Sequence, residues 1–297
     1  MINSNQIFPW QHALWQGLMQ RLHEDRLPHA LLLAGPPGIG KESFAHEFAC
    51  AVLCEHSRAD QSGAAHHEGL SCGACRACLL NQAGTHPDYY RVGLLEDKKV
   101  IGVDQVREIS ADLAMKAYYS GYKVAIIAPA EQMNPQAANS LLKTLEEPTD
   151  KLLFILVTHK PQQLLPTILS RSLSFAVPMP TVEASAAWLR QQGVEDPASL
   201  LAQTGFAPLL ALKGEEEDTD NAERKLLLDA IKQTARFDAL VLADQMQRVA
   251  PVQVIHFLQQ WCYDLLSYKL AGAIRYHPQQ TDLIKNISKN LPLQALL

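Results

Sequence analysis

Apolar runs and amphipathic segments alternate along the first part of the chain. Continuous apolar runs over residues 29–35, 122–130 and 151–159 are typical of buried parallel strands, and residues 172–178 predict a fourth, edge-like strand. The intervening segments repeat apolar residues at helical spacing, and several of them begin or end at proline. Strand and helix alternate up to about residue 178, which predicts a parallel sheet with helices on both faces.

Strand patterns stop after Pro180, and the rest of the chain repeats apolar residues only at helix-like intervals. We therefore predict an α/β domain over residues 1–178, a small helical unit over 179–213 and an all-α domain over 214–297. The acidic stretch Lys213–Glu223 predicts a solvated linker between the two helical parts.

Composition narrows the class of protein without identifying it. The 297 residues carry a net charge of −5 with a pI near 6.1, which excludes a uniformly basic surface for nucleic acid. The first residues lack the basic and apolar regions of a secretory signal, and the apolar runs are too short to span a bilayer. We expect a cytoplasmic protein with no membrane contact.

The segment GPPGIGKES follows the first predicted strand and begins a predicted helix. Gly35, Gly38, Gly40 and Lys41 preserve the cradle of the phosphate-loop pattern G-x-x-x-x-G-K-[ST]. In such a loop, backbone N–H groups surround a phosphate and the lysine reaches its outer oxygens. Glu42 stands where a hydroxyl would ligate Mg²⁺, so the pattern indicates descent from a nucleotide site but leaves ATP a doubtful ligand of this chain.

The acidic residues that a P-loop ATPase needs after its third strand are also missing. Such enzymes place an Asp–Glu pair there to hold Mg²⁺ and polarise water, whereas this chain has Ala128 and Pro129. We therefore predict an inactive site. The alternative is an active ATPase whose magnesium site is rearranged around Glu42, Ser43 or Glu131.

The sequence CGACRAC places Cys72, Cys75 and Cys78 at a spacing of three, and Cys54 precedes them at the end of a predicted helix. Four thiolates supply the closed tetrahedral set of a structural Zn²⁺ site. The fourth ligand is the least certain, since the histidines at positions 66 and 67 could take the place of Cys54. Cys50 lies one helical turn before Cys54, but on the apolar face of the predicted helix, where we expect it to be buried. A redox CxxC pair is the competing chemistry. A DNA-binding zinc module is a further possibility, although the segment has one arginine and no interleaved aromatic residues.

Arg171 lies in PTILSRSLSF, between a helix-like segment and the edge-like strand. Spacing alone favours a surface or ion-paired arginine. Four segments change that weighting, because together they resemble the AAA+ subunits of the bacterial replicative clamp loader, part of DNA polymerase III. They are PHALLLAGPPGIGK, SCGACRACLLNQAGTHPDYY, NSLLKTLEEP and LLPTILSRS. The missing ATPase residues make the delta-prime group of that family the best match.

The resemblance covers residues 1 to about 215 strongly, and the C-terminal helices only by architecture. It implies a RecA-like AAA+ domain with an inserted zinc module over residues 54–78, a helical lid and a helical collar. It also implies a hetero-pentamer with tau/gamma and delta subunits that loads the beta sliding clamp onto primed DNA within the DNA-directed DNA polymerase III holoenzyme. Arg171 is then an arginine finger offered in trans to a neighbouring tau/gamma ATP site, and Cys54, Cys72, Cys75 and Cys78 match the zinc ligands.

Two departures from the family pattern remain. The loop is nearer intact than in some relatives, which leaves weak nucleotide binding open. The collar segment ends at LPLQALL, where the resemblance implies further helices, so either a naturally shorter or a truncated collar is expected.

Overall fold

The computed structural model describes residues 7–56, 70–119, 121–216, 219–232, 239–246, 249 and 251–292. The chain divides into two compact units, Met1–Pro180 and Thr181–Leu297.

The first unit is built on a five-stranded parallel sheet with strand order β2-β3-β4-β1-β5. Its strands are β1 Ala30–Ala34, β2 Tyr89–Val92, β3 Lys123–Ile127, β4 Leu152–Thr158 and β5 Leu173–Ala176. The α/β class and the parallel sheet are therefore confirmed, and β5 lies at an edge. The pattern gave no signal for β2, because this short strand is mostly only partly buried and carries Arg91 in its middle.

Helices cover both faces of this sheet. The helices of the first unit are α1 His12–His23, α2 Lys41–Leu53, α3 Arg76–Gln82, α4 Val103–Leu113, α5 Pro135–Glu146 and α6 Pro166–Leu169. Successive residues of β4 point to opposite faces, so Ile155 packs with α1 and α2 in one buried cluster and Phe154 packs with α4 and α5 in another. The two clusters hold β1, β3 and β4 in place. The phosphate loop follows the last residue of β1.

The second unit is helical throughout its described residues. Its helices are α7 Val182–Gln191, α8 Pro197–Gln203, α9 Pro208–Glu216, α10 Thr219–Lys232, α11 Ala239–Gln245, α12 Pro251–Ala271 and α13 Thr281–Asn290. A separate core, which includes Phe257, Trp261 and Ile284, holds several of these helices together.

The described residues of the predicted linker Lys213–Glu223 are helical. The described part of that segment belongs to the end of α9 and the start of α10. Glutamate, lysine and alanine are good helix formers, so an acidic stretch can continue a helix that neighbouring apolar residues anchor.

Candidate functional site

The four cysteines come together at one end of α2. Cys54 follows the last residue of α2, Cys75 is the N-cap of α3, and Cys78 lies in the first turn of α3. Their sulfur atoms all lie within 4.8 Å of one another, with Cys54 Sγ 3.9 Å from Cys75 Sγ and Cys72 Sγ 3.8 Å from Cys78 Sγ. The cluster is largely buried, and none of its four cysteines forms a disulfide.

This cluster can hold a metal ion. A tetrahedral site with Zn–S bonds of about 2.3 Å has S···S edges of about 3.8 Å, close to the two distances above. Backbone N–H groups also donate to the sulfurs, from Cys72 to Cys54 Sγ (3.4 Å), from Cys75 to Cys72 Sγ (3.3 Å) and from Cys78 to Cys75 Sγ (3.4 Å). Such donors stabilise thiolate rather than thiol, as metal binding requires.

Cys50 is not a member of the cluster. Its Sγ lies 3.7 Å from His46 Nε2, and burial raises the pKa of its thiol to about 12. His66 and His67, which could also have supplied the fourth ligand, lie outside the described residues. His56, which the sequence did not single out, places its Nδ1 3.4 Å from Cys72 Sγ.

The phosphate loop joins the end of β1 to the start of α2, as its pattern predicts. Gly38 and Gly40 have positive φ angles of 74° and 85°. A Cβ on Gly40 would come within 2.4 Å of the Phe8 ring, so only glycine fits there. Gln11 Nε2 donates to the carbonyls of Ile39 (3.0 Å) and Gly40 (3.1 Å), which ties the segment before α1 to the loop.

Lys41 is folded onto the loop itself. Its Nζ donates to the carbonyl of Pro36, and the residue is almost completely buried. Burial lowers the pKa of Lys41 to about 8, although the carboxylates of Glu131 and Glu42 act in the opposite direction. Burial therefore disfavours the charged form of Lys41 that a phosphate would require.

The residues around the loop do not fit a magnesium ion. Glu42 Oε2 is paired with Arg91 Nη2 at 2.9 Å, so the carboxylate at the hydroxyl's position already has a cation. Ala128 and Pro129 follow β3 and carry no side-chain ligand atom. Glu131 Oε1 accepts the backbone N–H of His159 at 3.0 Å, and its buried Oε2 has no hydrogen-bond partner among the described residues. Sequence reasoning missed Arg91, which lies far from the loop in sequence and in an unpredicted strand.

Arg171 follows α6 and precedes the edge strand β5. Its Nη1 donates to the carbonyl of Thr167 (3.0 Å) and to Ser170 Oγ (3.2 Å), and its Nη2 lies 2.6 Å from Glu146 Oε1. The side chain remains 33% exposed, so the guanidinium is held in place and still reachable from outside. Glu146 belongs to the NSLLKTLEEP segment, so this ion pair joins two of the four segments that carried the resemblance.

Comparison with known proteins assigns the family. The family described as "DNA polymerase III, delta subunit" matches residues 10–180. The DNA polymerase III subunit delta' of Pseudomonas aeruginosa is 38% identical over 270 residues, covering 89% of this chain and 78% of the relative. That of Haemophilus influenzae is 30% identical over 286 residues, covering 95% and 84%. The chain belongs to the DNA polymerase III subunit delta' family.

Among solved structures, a DNA polymerase III gamma subunit-related protein from Thermotoga maritima aligns with a TM-score of 0.42 and 17% identity, covering 95% of each chain. Within the part of the chain that the structure describes, no helix is long and apolar enough to cross a membrane.

In this delta' family member, α2 connects the phosphate loop to the cysteine cluster and carries a buried carboxyl between them. Glu47 is 2% exposed, and its Oε1 has no hydrogen-bond partner among the described residues. Burial raises the pKa of Glu47 to about 7. The negative charge of Glu47 contributes to raising the pKa of Cys50 and of Tyr89.

Replacing Glu47 with glutamine is expected to remove a pH-dependent loss of stability. Because the folded-state pKa is raised, the folded chain binds more protons than the unfolded chain between pH 4.5 and 7, and the free energy of unfolding falls as pH rises through that window. The stability gained by Glu47→Gln over the parent should grow by about 2–3 kcal/mol between pH 5 and pH 8. Urea unfolding at both pH values measures it, with Glu108→Gln on the exposed face of α4 as the control. An equal gain in stability from Glu47→Gln at both pH values would contradict the raised pKa of Glu47.

Proposed function

We propose that this chain is the non-catalytic delta' subunit of a DNA polymerase III clamp loader. It does not hydrolyse ATP, and it completes the ATP site of a neighbouring tau/gamma subunit with Arg171. Through the assembly with tau/gamma and delta subunits, it helps to open the beta sliding clamp and load it on primed DNA.

The proposal rests on one contrast. The chain lacks the ligands of a magnesium site at its own phosphate loop, but it has an arginine that can be reached from outside. The Glu42–Arg91 pair occupies the position of the magnesium ligand, and Lys41 is bonded to its own loop. Arg171 is held at the edge of the same unit by three polar partners. A guanidinium placed in this way neutralises charge that develops on a phosphate held by a neighbour.

The proposal assigns the remaining parts of the chain by family membership. Residues 1–178 form an AAA+ domain in which Cys54, Cys72, Cys75 and Cys78 bind a structural Zn²⁺. Residues 179–213 form a helical lid and residues 214–297 a helical collar through which the subunits assemble. Gly35, Gly38, Gly40 and Lys41 are a relic of a phosphate cradle.

An active ATPase gains no support from the geometry of the loop. A rearranged magnesium site would need Glu42, Ser43 or Glu131, yet Glu42 is paired with an arginine and one carboxylate oxygen of Glu131 accepts a backbone N–H. Four protein ligands also close the cysteine site, which leaves no open position for catalysis.

Two measurements test the proposal together. The purified chain should show no magnesium-dependent ATP turnover, and it should co-purify with tau/gamma and delta subunits as a defined assembly. Turnover near 1 s⁻¹ by the isolated chain would contradict the non-catalytic role. Failure to join the assembly, with all subunits folded, would contradict the clamp-loader role.

A further inference from the structure

The ion pair between Arg171 and Glu146 rests on a rigid support. Glu146 is the last residue of α5, and Arg171 lies in the turn after α6, where its backbone N–H donates to the Ile168 carbonyl at 3.1 Å. Leu145 and Ile168 are 1% and 0% exposed in the same buried cluster. The spacing between carboxylate and guanidinium is therefore set by core packing rather than by a flexible loop.

Glu146 occupies a position where an acidic residue is locally unfavourable. The C-terminal end of a helix carries partial negative charge, so a carboxylate in its last turn is repelled and a cation is preferred. Arg171 supplies that cation at 2.6 Å from Glu146 Oε1. The half-exposed pair adds little to stability, because solvent screens the attraction between exposed charges and holding two long side chains costs entropy. Its effect is therefore on where the guanidinium lies.

The contacts leave Arg171 able to bind another group. Nη1 is occupied by Thr167 and Ser170 and Nη2 faces Glu146, whereas Nε has no partner among the described residues. A free arginine side chain samples many rotamers, and fixing one of them costs conformational entropy. Here this chain's own contacts have already imposed that restriction.

We propose that Glu146 is a positioning residue for Arg171, which holds the guanidinium ready for the phosphate of a neighbouring subunit. The inference rests on the proposed trans role of Arg171. Glu146 does not touch the nucleotide. It acts by keeping the guanidinium in one orientation, and a displacement of about 1 Å at such a group costs about 100-fold in rate.

The test is single-turnover ATP hydrolysis by the complete clamp loader reconstituted with tau/gamma and delta subunits, clamp and primed DNA. Glu146→Gln removes the charge with little change in shape. It should slow ATP hydrolysis at the tau/gamma site next to Arg171 by about 10- to 100-fold. The KM for ATP should change little. Glu146→Asp should recover part of the rate, and Glu146→Gln combined with Arg171→Ala should be no slower than Arg171→Ala alone.

Glu147 provides the matched control. It is adjacent, exposed and equally charged, and its side chain makes no hydrogen bond or ion pair among the described residues, so Glu147→Gln should hydrolyse ATP like the parent. If Arg171→Ala slows the site but Glu146→Gln matches the parent or is faster, the positioning inference is overturned and the proposed function stands. If Arg171→Ala itself changes nothing, the proposed function fails instead.

Discussion

Replacing Arg171 with alanine is expected to stop hydrolysis at the tau/gamma ATP site that we propose this chain completes. An arginine finger accelerates phosphoryl transfer by about 10³- to 10⁵-fold, because its fixed guanidinium neutralises charge that builds up in the transition state. In rapid-quench experiments on the assembled clamp loader, the hydrolysis of one ATP equivalent per complex should become at least about 10³-fold slower. Assembly should be unchanged, since the side chain is partly exposed and loses only a surface ion pair and two hydrogen bonds within its own turn.

Two further variants separate the finger from a general effect of charge. Arg171→Lys keeps the charge but loses the planar fork, so it should recover only part of the rate. Arg26→Ala removes an exposed arginine of the same unit that is paired with Glu24 at 3.4 Å, and it should hydrolyse ATP like the parent. An undiminished burst with Arg171→Ala would show that this arginine is a surface residue.

The second large effect is expected from the cysteine cluster. The purified chain should contain one equivalent of zinc, and Cys78→Ala should lose it, because three sulfurs no longer complete the tetrahedron. Structural zinc contributes about 10–16 kcal/mol of apparent binding free energy in small zinc-finger peptides, so losing it should destabilise the cysteine module by several kcal/mol. Metal analysis and limited proteolysis, with and without a chelator, measure the two effects.

Cys50→Ala is the matched control for this experiment. Cys50 is also buried and lies one helical turn before Cys54, but its Sγ contacts the His46 ring instead of joining the four-cysteine cluster. This variant should retain zinc and resist proteolysis like the parent. Zinc that stays at one equivalent in Cys78→Ala would rule out the four-cysteine site, and a disulfide in the freshly purified chain would favour redox chemistry at the CxxC pair.

Much of the sheet could be predicted from the sequence because its central strands are buried on both faces. A strand such as Leu152–Thr158 has to be apolar at every position, and that run is visible without any knowledge of its neighbours. The phosphate loop was equally visible, since its glycines and lysine are close together along the chain. Strand β2 was not, because a partly exposed edge strand that contains Arg91 has no distinctive pattern.

The sequence by itself determined the parallel α/β class, the family resemblance, the loop without its magnesium hydroxyl and the cysteine spacing. Each of these depends on residues that are neighbours in the chain. Only the tertiary structure decided that Arg91 pairs with Glu42 and that Glu146 holds Arg171. The residues of these pairs lie far apart in sequence, and packing of separate helices and strands sets their distances. No local pattern encodes that packing.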